Sequence, residues 1–152
     1  MPVAWRIVPA RRAGDAFSGQ GAAKYGGRWN SRGTALVYVS GTQALAALET
    51  LVHLNPFTPL VFKIFRLEFE TALVTTLLTA GLPSDWRTEP PPPSTQRLGD
   101  AWARAARSVA LAVPSVLIPG ETNFLLNPAH ADFVRITIGP PADFAFDQRL
   151  VS

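Results

Sequence analysis

Apolar residues fall along this chain in short runs, and between them lie two longer segments in which apolar positions recur at helical spacing. The short runs are rich in β-branched and aromatic residues, which is typical of strands. Strands are predicted at residues 4–9, 35–40, 60–69, 111–118 and 133–138, with a further strand or extension at 72–78 and an edge strand at 144–150. Helices are predicted at residues 43–54 and 96–110. Because strands and helices mix without a regular βαβ alternation, the pattern favours an α+β fold.

The helix predicted at residues 43–54 carries a carboxylate at the margin of its apolar face. Leu45, Leu48 and Val52 form an apolar seam, and Glu49 lies at the edge of that seam at about 100° per residue. A carboxylate in this position loses hydration unless it is paired or solvent-exposed, so a salt bridge and a catalytic role are both open. The dipeptide Asn55-Pro56 predicts the end of the helix.

The strand predicted at residues 35–40 has one candidate ligand-binding side chain. Side chains alternate between the two faces of a strand, so Tyr38 shares a face with Leu36 and Ser40, opposite Val37 and Val39. The ring of Tyr38 offers a flat surface on which a base or a nicotinamide ring can stack, although a half-buried strand tyrosine explains the pattern equally well.

A glycine-rich segment precedes this strand and ends in the densest basic and aromatic cluster of the chain. Residues 13–27 are predicted to form a loop, and Arg28 follows a pair of glycines that would allow a ligand to approach the backbone closely. The planar guanidinium of Arg28 matches phosphate or ribose oxygens, and Lys24 and Arg32 add charge nearby. The alternative is a solvent-exposed turn.

Polar residues also follow the apolar run that ends near Pro114. Ser115 is a candidate hydrogen-bond donor to a ligand, although it could equally satisfy backbone groups, and no GxSxG motif surrounds it. A polar, proline-punctuated loop after Ser115 supplies candidate rim residues, which loop capping would also explain: Glu121, Asn123, Asn127 and His130. His53 and His130 lack the spacing of a zinc or iron site, so no metal is predicted.

Composition narrows the class of protein. The 152 residues are 47% hydrophobic and 16% charged, which predicts one folded domain over residues 1–152. Cysteine is absent, the N-terminus lacks a signal-peptide core and there is no membrane-length apolar run, so a cytoplasmic protein is expected. The net charge is +3, and the arginines are dispersed, which argues against a nucleic-acid surface. The one dense basic and aromatic cluster, Lys24 to Arg32, favours a pocket for one phosphorylated small molecule. Five prolines within residues 82–94 predict an exposed loop.

Taken together, several short motifs resemble the RES domain family, which is named for its Arg, Glu and Ser residues. The resemblance extends from Trp5 to Leu150, nearly the whole chain. The motifs that carry it are Gly26-Gly27-Arg28-Trp29-Asn30 with Gly33, Tyr38-Val39-Ser40, Ala47-Leu48-Glu49, Val113-Pro114-Ser115, and Asn127-Pro128 with His130.

The resemblance implies a single RES domain with an ADP-ribosyltransferase-like fold, a mixed or antiparallel sheet with flanking helices. It implies the toxin of a bacterial type II toxin–antitoxin system that depletes NAD by cleaving the nicotinamide–ribose bond, through hydrolysis or phosphorolysis, and so arrests growth. An ADP-ribosyltransferase that modifies a cellular protein is the alternative, and a non-enzymatic binding module is a third. The implied partner is an Xre-like helix-turn-helix antitoxin that would supply any DNA contact, and a homodimer within that complex is open.

The resemblance also assigns expected roles to residues. Arg28 would bind the ribose or diphosphate of NAD, Tyr38 would stack on nicotinamide, and Glu49 would be the catalytic carboxylate. Ser115 would line the pocket and orient the ligand. Lys24, Arg32 and Asn127 complete the expected NAD-binding set. NAD is then a substrate, with no further cofactor and no metal.

Overall fold

A single mixed sheet contains all the strands of the described part of the chain, residues 1–54 and 61–151 of a computed structural model. The strands are β1 (Val3–Pro9), β2 (Val37–Ser40), β3 (Phe62–Glu68), β4 (Val74–Thr76), β5 (Ala110–Pro114), β6 (Thr122–Leu126), β7 (Thr137–Ile138) and β8 (Ala142–Phe144). The order across the sheet is β4-β5-β6-β2-β1-β3-β7, and β8 also pairs with β3. The β4–β5 pair is parallel and the other pairs are antiparallel.

The strand pairing is uneven at the centre of this sheet. β1 pairs with β3 along its full length, from Val3 opposite Glu68 to Pro9 opposite Phe62. On its other side β1 pairs with β2 at one position, Trp5 opposite Ser40. The two strands therefore separate next to this pair, and the separation creates space within the sheet.

Three α-helices lie within the described residues: α1 (Gln20–Tyr25), α2 (Gln43–Val52) and α3 (Pro93–Ala105). Thr42 caps α2, because its hydroxyl accepts a hydrogen bond from the backbone N–H of Leu45 at 3.0 Å. A proline begins α3, where its missing N–H costs nothing. Short 3-10 helices span Ala10–Asp15, Thr71–Leu73, Thr79–Gly81, Ala131–Arg135 and Gln148–Leu150.

Buried apolar residues form three clusters on the two faces of the sheet. The largest covers one face and includes Val37, Val39 and Leu67. On the opposite face, one cluster around Leu111 packs under α3 and another around Ile7 packs under α2. The two helices thus lie on the same face of the sheet, and α2 covers the place where β1 and β2 separate.

The α+β class with a mixed sheet and flanking helices is confirmed. Several boundaries differ from the prediction. The segment 13–27 contains α1 and the end of a 3-10 helix, and residues 133–135 of the predicted strand 133–138 also belong to a 3-10 helix. The last predicted strand, 144–150, contributes only Phe144 to β8. β6 was not predicted, because its polar first residues, Thr122 and Asn123, resemble part of a loop. The predicted helix end at Asn55-Pro56 lies outside the described residues.

None of the helices in the described ranges is both long and apolar enough to cross a lipid bilayer.

Candidate functional site

A cavity of about 380 Å³ opens where β1 and β2 separate, with α2 as its wall. Four lining residues come from α2 and its C-cap: Ala46, Glu49, Thr50 and His53. They are three or four residues apart and therefore lie on one side of the helix. The strands contribute apolar and cationic side chains. The remaining lining residues are Trp5, Arg6, Ile7, Pro9, Arg11, Tyr38, Ser40, Leu54 and Phe62.

The orientation of α2 differs from the predicted seam. Leu45 and Ala46 are buried, whereas Leu48 is 38% exposed and Val52 is 56% exposed. The buried face is therefore rotated toward Ala46. This rotation brings Glu49 from the margin of the apolar face to the cavity.

Arg6 is the principal cation of the cavity. Its Nε donates to the carbonyl oxygen of Ala16 at 2.7 Å, and its Nη1 donates to the carbonyl oxygen of Tyr38 at 2.9 Å. Burial, together with the charge of Arg12, lowers the pKa of Arg6 to about 10, although the charge of Asp15 opposes this shift. No carboxylate among residues 1–54 and 61–151 forms an ion pair with Arg6. A desolvated cation with neutral partners favours the binding of an anion.

Glu49 is half-buried and faces the same cavity as Arg6. Its Oε1 accepts a hydrogen bond from Nδ2 of Asn123 at 3.1 Å. The Asn123 side chain also accepts from the hydroxyl of Ser40 at 2.7 Å. Glu49 forms no ion pair within the described ranges, so its carboxylate is available to a ligand in the cavity.

Tyr38 lines the cavity, and two hydrogen bonds hold its hydroxyl group in place. The hydroxyl donates to Oδ1 of Asn30 at 2.5 Å and accepts from the backbone N–H of Trp29 at 3.1 Å. Burial raises the pKa of Tyr38 above its ordinary value, against the lowering effects of the Trp29 hydrogen bond and of Arg28, so the phenol stays neutral. Gly27 allows the contact, because a Cβ there would lie 2.7 Å from the Tyr38 hydroxyl. The glycine thus makes room for the tyrosine.

Arg28 does not line the cavity with Tyr38 and Glu49. Its Nη1 donates to the carbonyl oxygens of Trp86 and Thr88 at 3.0 and 2.9 Å, and its Nη2 donates to Oε2 of Glu89 at 2.5 Å. The Arg28 side chain is 14% exposed, and the Glu89 side chain is 74% exposed. The guanidinium therefore tethers the proline-rich segment before α3, and a carboxylate already occupies one edge of it.

α3 holds the segment that anchors Tyr38. The hydroxyl of Thr95 donates to the carbonyl oxygen of Arg28 at 2.6 Å, and Nε2 of Gln96 donates to that of Gly27 at 3.0 Å. Asp100 accepts from the backbone N–H of Ser31 at 3.0 Å and from its hydroxyl at 2.5 Å. Burial raises the pKa of Asp100, but the hydrogen bonds from Ser31 and Thr34 and the charge of Arg104 outweigh it, so this pKa lies below its ordinary value.

The other residues expected at the site lie elsewhere. The buried Ser115 hydroxyl accepts from the backbone N–H of Ile118 at 3.1 Å and closes a turn. Asn127 is buried and bonds the carbonyl oxygen of Ala103 at 3.1 Å. Lys24 and Arg32 are exposed, and Lys24 lies over the ring of Tyr25. The structure therefore brings Tyr38 and Glu49 together at the cavity but not these four residues.

The sequence patterns did not indicate Arg6 and Arg11 as lining residues of the cavity, and they indicated Asn123 only as a candidate rim residue. The available signal for Arg6 was a single charge inside an otherwise apolar strand. Within residues 1–54 and 61–151, no group of three or more His, Cys, Asp and Glu side chains is placed so that it could hold a metal ion.

Comparisons with known proteins give consistent results. The family model described as "RES domain" matches residues 3–147. A protein named "Toxin Res" from Yersinia enterocolitica is 40% identical over 148 residues, which cover 96% of this chain and 97% of that protein. A protein named "Prs ADP-ribosylating toxin" from Sphingobium sp. is 39% identical over 153 residues, covering 97% of this chain and 95% of that protein.

The fold also has a solved counterpart. A chain in the crystal structure of the M. tuberculosis MbcT–MbcA toxin–antitoxin complex superposes with a TM-score of 0.76, covering 95% of this chain and 84% of that chain. The two sequences are 19% identical, so this likeness concerns the fold alone.

Proposed function

The chain belongs to the RES domain family, and from this membership we propose that it is the toxin of a bacterial toxin–antitoxin system that acts on NAD. The coarser part of this proposal, a RES toxin, agrees with relatives named "Toxin Res" over almost the whole length of both chains. The finer part is that the enzyme depletes NAD by cleaving its nicotinamide–ribose bond.

The observation that carries the NAD proposal is that Arg6 and Glu49 line the same cavity. A buried cation without an ion-pair partner among the described residues suits the diphosphate of NAD. A half-buried carboxylate on α2, at the same cavity, suits the ribose hydroxyls and the positive charge that develops on the ribose. Arg11, exposed at the rim, adds charge toward an anionic ligand.

The proposed reaction breaks the bond between nicotinamide and ribose and leaves positive charge on the ribose. As the bond between ribose C1′ and the nicotinamide nitrogen breaks, its electron pair leaves with nicotinamide, and the positive charge moves to the ribose. Glu49 would accept a hydrogen bond from a ribose hydroxyl and stabilise this charge in the low-dielectric cavity. Water or phosphate would then form the new bond at C1′, and in the case of water a proton is released.

Tyr38 and Arg28 take different positions in this proposal. The Tyr38 hydroxyl is held by Asn30 and Trp29, so its ring would form a fixed surface for nicotinamide. The Arg28 guanidinium would have to exchange Glu89 for an anionic group of NAD. The proposed binding role of Arg28 therefore includes displacement of a carboxylate.

A second candidate reaction has one observation in its favour. A relative that is 39% identical carries the name "Prs ADP-ribosylating toxin". Cleavage of the same bond followed by attack of a protein side chain on C1′ would transfer ADP-ribose to that protein. The cavity serves both reactions, because they differ in the acceptor.

The partner proposed for this toxin is an Xre-like helix-turn-helix antitoxin that covers the cavity. The exposed cations Lys24 and Arg32 are candidate docking points for an acidic group of that antitoxin. Exchange of both charges should weaken the complex, and unchanged antitoxin affinity would contradict this docking site.

Incubation of the purified protein with NAD labelled in the nicotinamide and in the adenine tests the proposal. Release of nicotinamide in buffer supports hydrolysis, and dependence on added phosphate supports phosphorolysis. Transfer of the adenine label to protein in a cell extract would support the second reaction. Intact NAD under all three conditions would contradict the proposed function.

A further inference from the structure

Asn123 links Glu49 to the sheet through a chain of two hydrogen bonds. In the register of the sheet, Trp5 lies opposite Ser40, and Ser40 lies opposite Asn123. Paired residues project on the same face of a sheet, so these side chains form a row beneath α2. The Ser40 hydroxyl and the Asn123 amide lie 2.7 Å apart, and the Asn123 amide and the Glu49 carboxylate lie 3.1 Å apart.

The charge of Glu49 fixes the direction of this chain. An ionised carboxylate can only accept hydrogen bonds, so the Nδ2 group of Asn123 must face Glu49. The Oδ1 atom of Asn123 then faces Ser40, whose hydroxyl must donate. Ser40 is 4% exposed, so water does not compete freely for the Asn123 oxygen. The amide therefore has one favourable orientation.

The side chain of Asn123 is not required for pairing of the strands. Its backbone pairs with Ser40 of β2 on one side and Val113 of β5 on the other. The amide group instead extends from the sheet to α2, on the next layer. Because a glutamate side chain has several rotamers, a fixed donor at one carboxylate oxygen selects among them and leaves the other oxygen to the cavity.

We propose that Asn123, oriented by Ser40, is a positioning residue that holds the Glu49 carboxylate in the geometry required for cleavage of the nicotinamide–ribose bond. This inference rests on the proposed function, and it predicts an effect on the reaction step. Glu49 meets the developing charge in the transition state, so loss of its positioning lowers kcat and leaves NAD affinity nearly unchanged.

Two substitutions of Asn123 separate positioning from folding. Asn123→Ala removes the donor, and kcat should fall about 10- to 100-fold, the range for one hydrogen bond to a charged group. Asn123→Asp keeps the shape but places a second carboxylate against Glu49, so kcat should fall at least as far. Glu121→Gln is the matched control, because Glu121 precedes the same strand, does not line the cavity and accepts instead from the hydroxyl of Thr42 at 3.0 Å. It should retain wild-type turnover.

A double-mutant cycle with Glu49→Gln gives a readout that a purely structural role would not produce. If Asn123 acts through Glu49, Asn123→Ala should reduce the residual turnover of the Glu49→Gln protein by less than twofold, a negligible part of its effect in the wild type. Equal losses in both backgrounds, or wild-type kcat in folded Asn123→Ala, would overturn the inference. Loss of NAD affinity without loss of kcat would also overturn it.

The NMR signals of the Asn123 side-chain amide distinguish failure of this inference from failure of the proposed function. The amide proton signals should shift in Glu49→Ala if the two side chains are bonded. Intact NAD with the wild type would contradict the proposed function and its positioning step together, even with this shift present. NAD turnover without the shift would overturn the role of Asn123 alone.

Discussion

Nη1 of Arg6 donates a hydrogen bond to the carbonyl oxygen of Tyr38 at 2.9 Å, beside the single position at which β1 and β2 pair. A side chain here does what a backbone N–H does in a regular sheet. The strands can therefore separate without leaving the carbonyl oxygen of Tyr38 unsatisfied. The space between them forms the cavity, and the guanidinium of Arg6 remains at its lining.

This relationship predicts that Arg6 contributes to NAD affinity. Arg6→Gln removes the charge that we propose faces the diphosphate, and the dissociation constant for NAD should rise by about tenfold or more, since a charge-assisted hydrogen bond contributes about 1.5–3 kcal/mol. Calorimetry in the inactive Glu49→Gln background measures this without turnover. Arg97→Gln, at an exposed position of α3, is the control. Unchanged affinity in a folded Arg6→Gln protein would contradict the diphosphate assignment.

Arg28 and Glu89 should have opposite effects on NAD binding. If the guanidinium of Arg28 exchanges Glu89 for NAD, Glu89→Gln removes the competitor and should tighten binding, whereas Arg28→Ala should weaken it. The same titration in the Glu49→Gln background reports both changes. A lower melting temperature of Arg28→Ala with unchanged NAD affinity would restrict Arg28 to tethering the 86–89 segment.

Two helical glycines should respond in opposite directions to alanine. A Cβ at Gly99 would lie 1.6 Å from the carbonyl oxygen of Trp29, so Gly99→Ala forces α3 away from the segment that anchors Tyr38. The free energy of unfolding should fall by about 1–3 kcal/mol or more. A Cβ at Gly21 in α1 would have no atom within 4 Å. The free energy of unfolding of Gly21→Ala should therefore rise by about 0.5–1 kcal/mol. Urea unfolding of both proteins compares them, and similar stabilities would contradict the close packing.

Asp100 should make stability depend on acidic pH. Asp100→Asn removes the negative charge and replaces one of the two carboxylate oxygens that accept from Ser31 by an NH2 donor, and the free energy of unfolding at pH 7 should fall by about 1.5–3 kcal/mol. Because the folded-state pKa of Asp100 is depressed, its stabilisation is complete above the ordinary pKa of about 3.9 and is lost as pH falls through the folded value. The stability difference between the wild type and Asp100→Asn should therefore shrink as pH falls below the ordinary pKa of about 3.9. A stability difference that stays constant from pH 7 to pH 2.5 would contradict this.

Local patterns in the sequence were sufficient for part of this site. Alternation along β2 correctly separated Tyr38 from Val37 and Val39, which pack on the opposite face. Helical spacing put Glu49 at an apolar margin, although the rotation of α2 depends on how Leu45 and Ala46 pack against the sheet.

Long-range contacts determine the rest. The partners of Arg28 lie 58 to 61 residues further along the chain, so its tether has no local signal. The significance of Arg6 depends on where β1 and β2 separate, which is a property of strand pairing. Gly27 illustrates the same limit, since its missing side chain makes room for the Tyr38 hydroxyl rather than for a ligand.

The most direct test of the central claim is the NAD content of bacterial cells after induction of the wild type, Glu49→Gln and Glu121→Gln. NAD should fall and growth should stop with the wild type and with Glu121→Gln. NAD and growth should stay normal with Glu49→Gln, whose turnover should be lower by about 10²- to 10⁴-fold. Growth arrest by the wild type with unchanged NAD, or equal NAD loss with folded Glu49→Gln, would contradict the central claim.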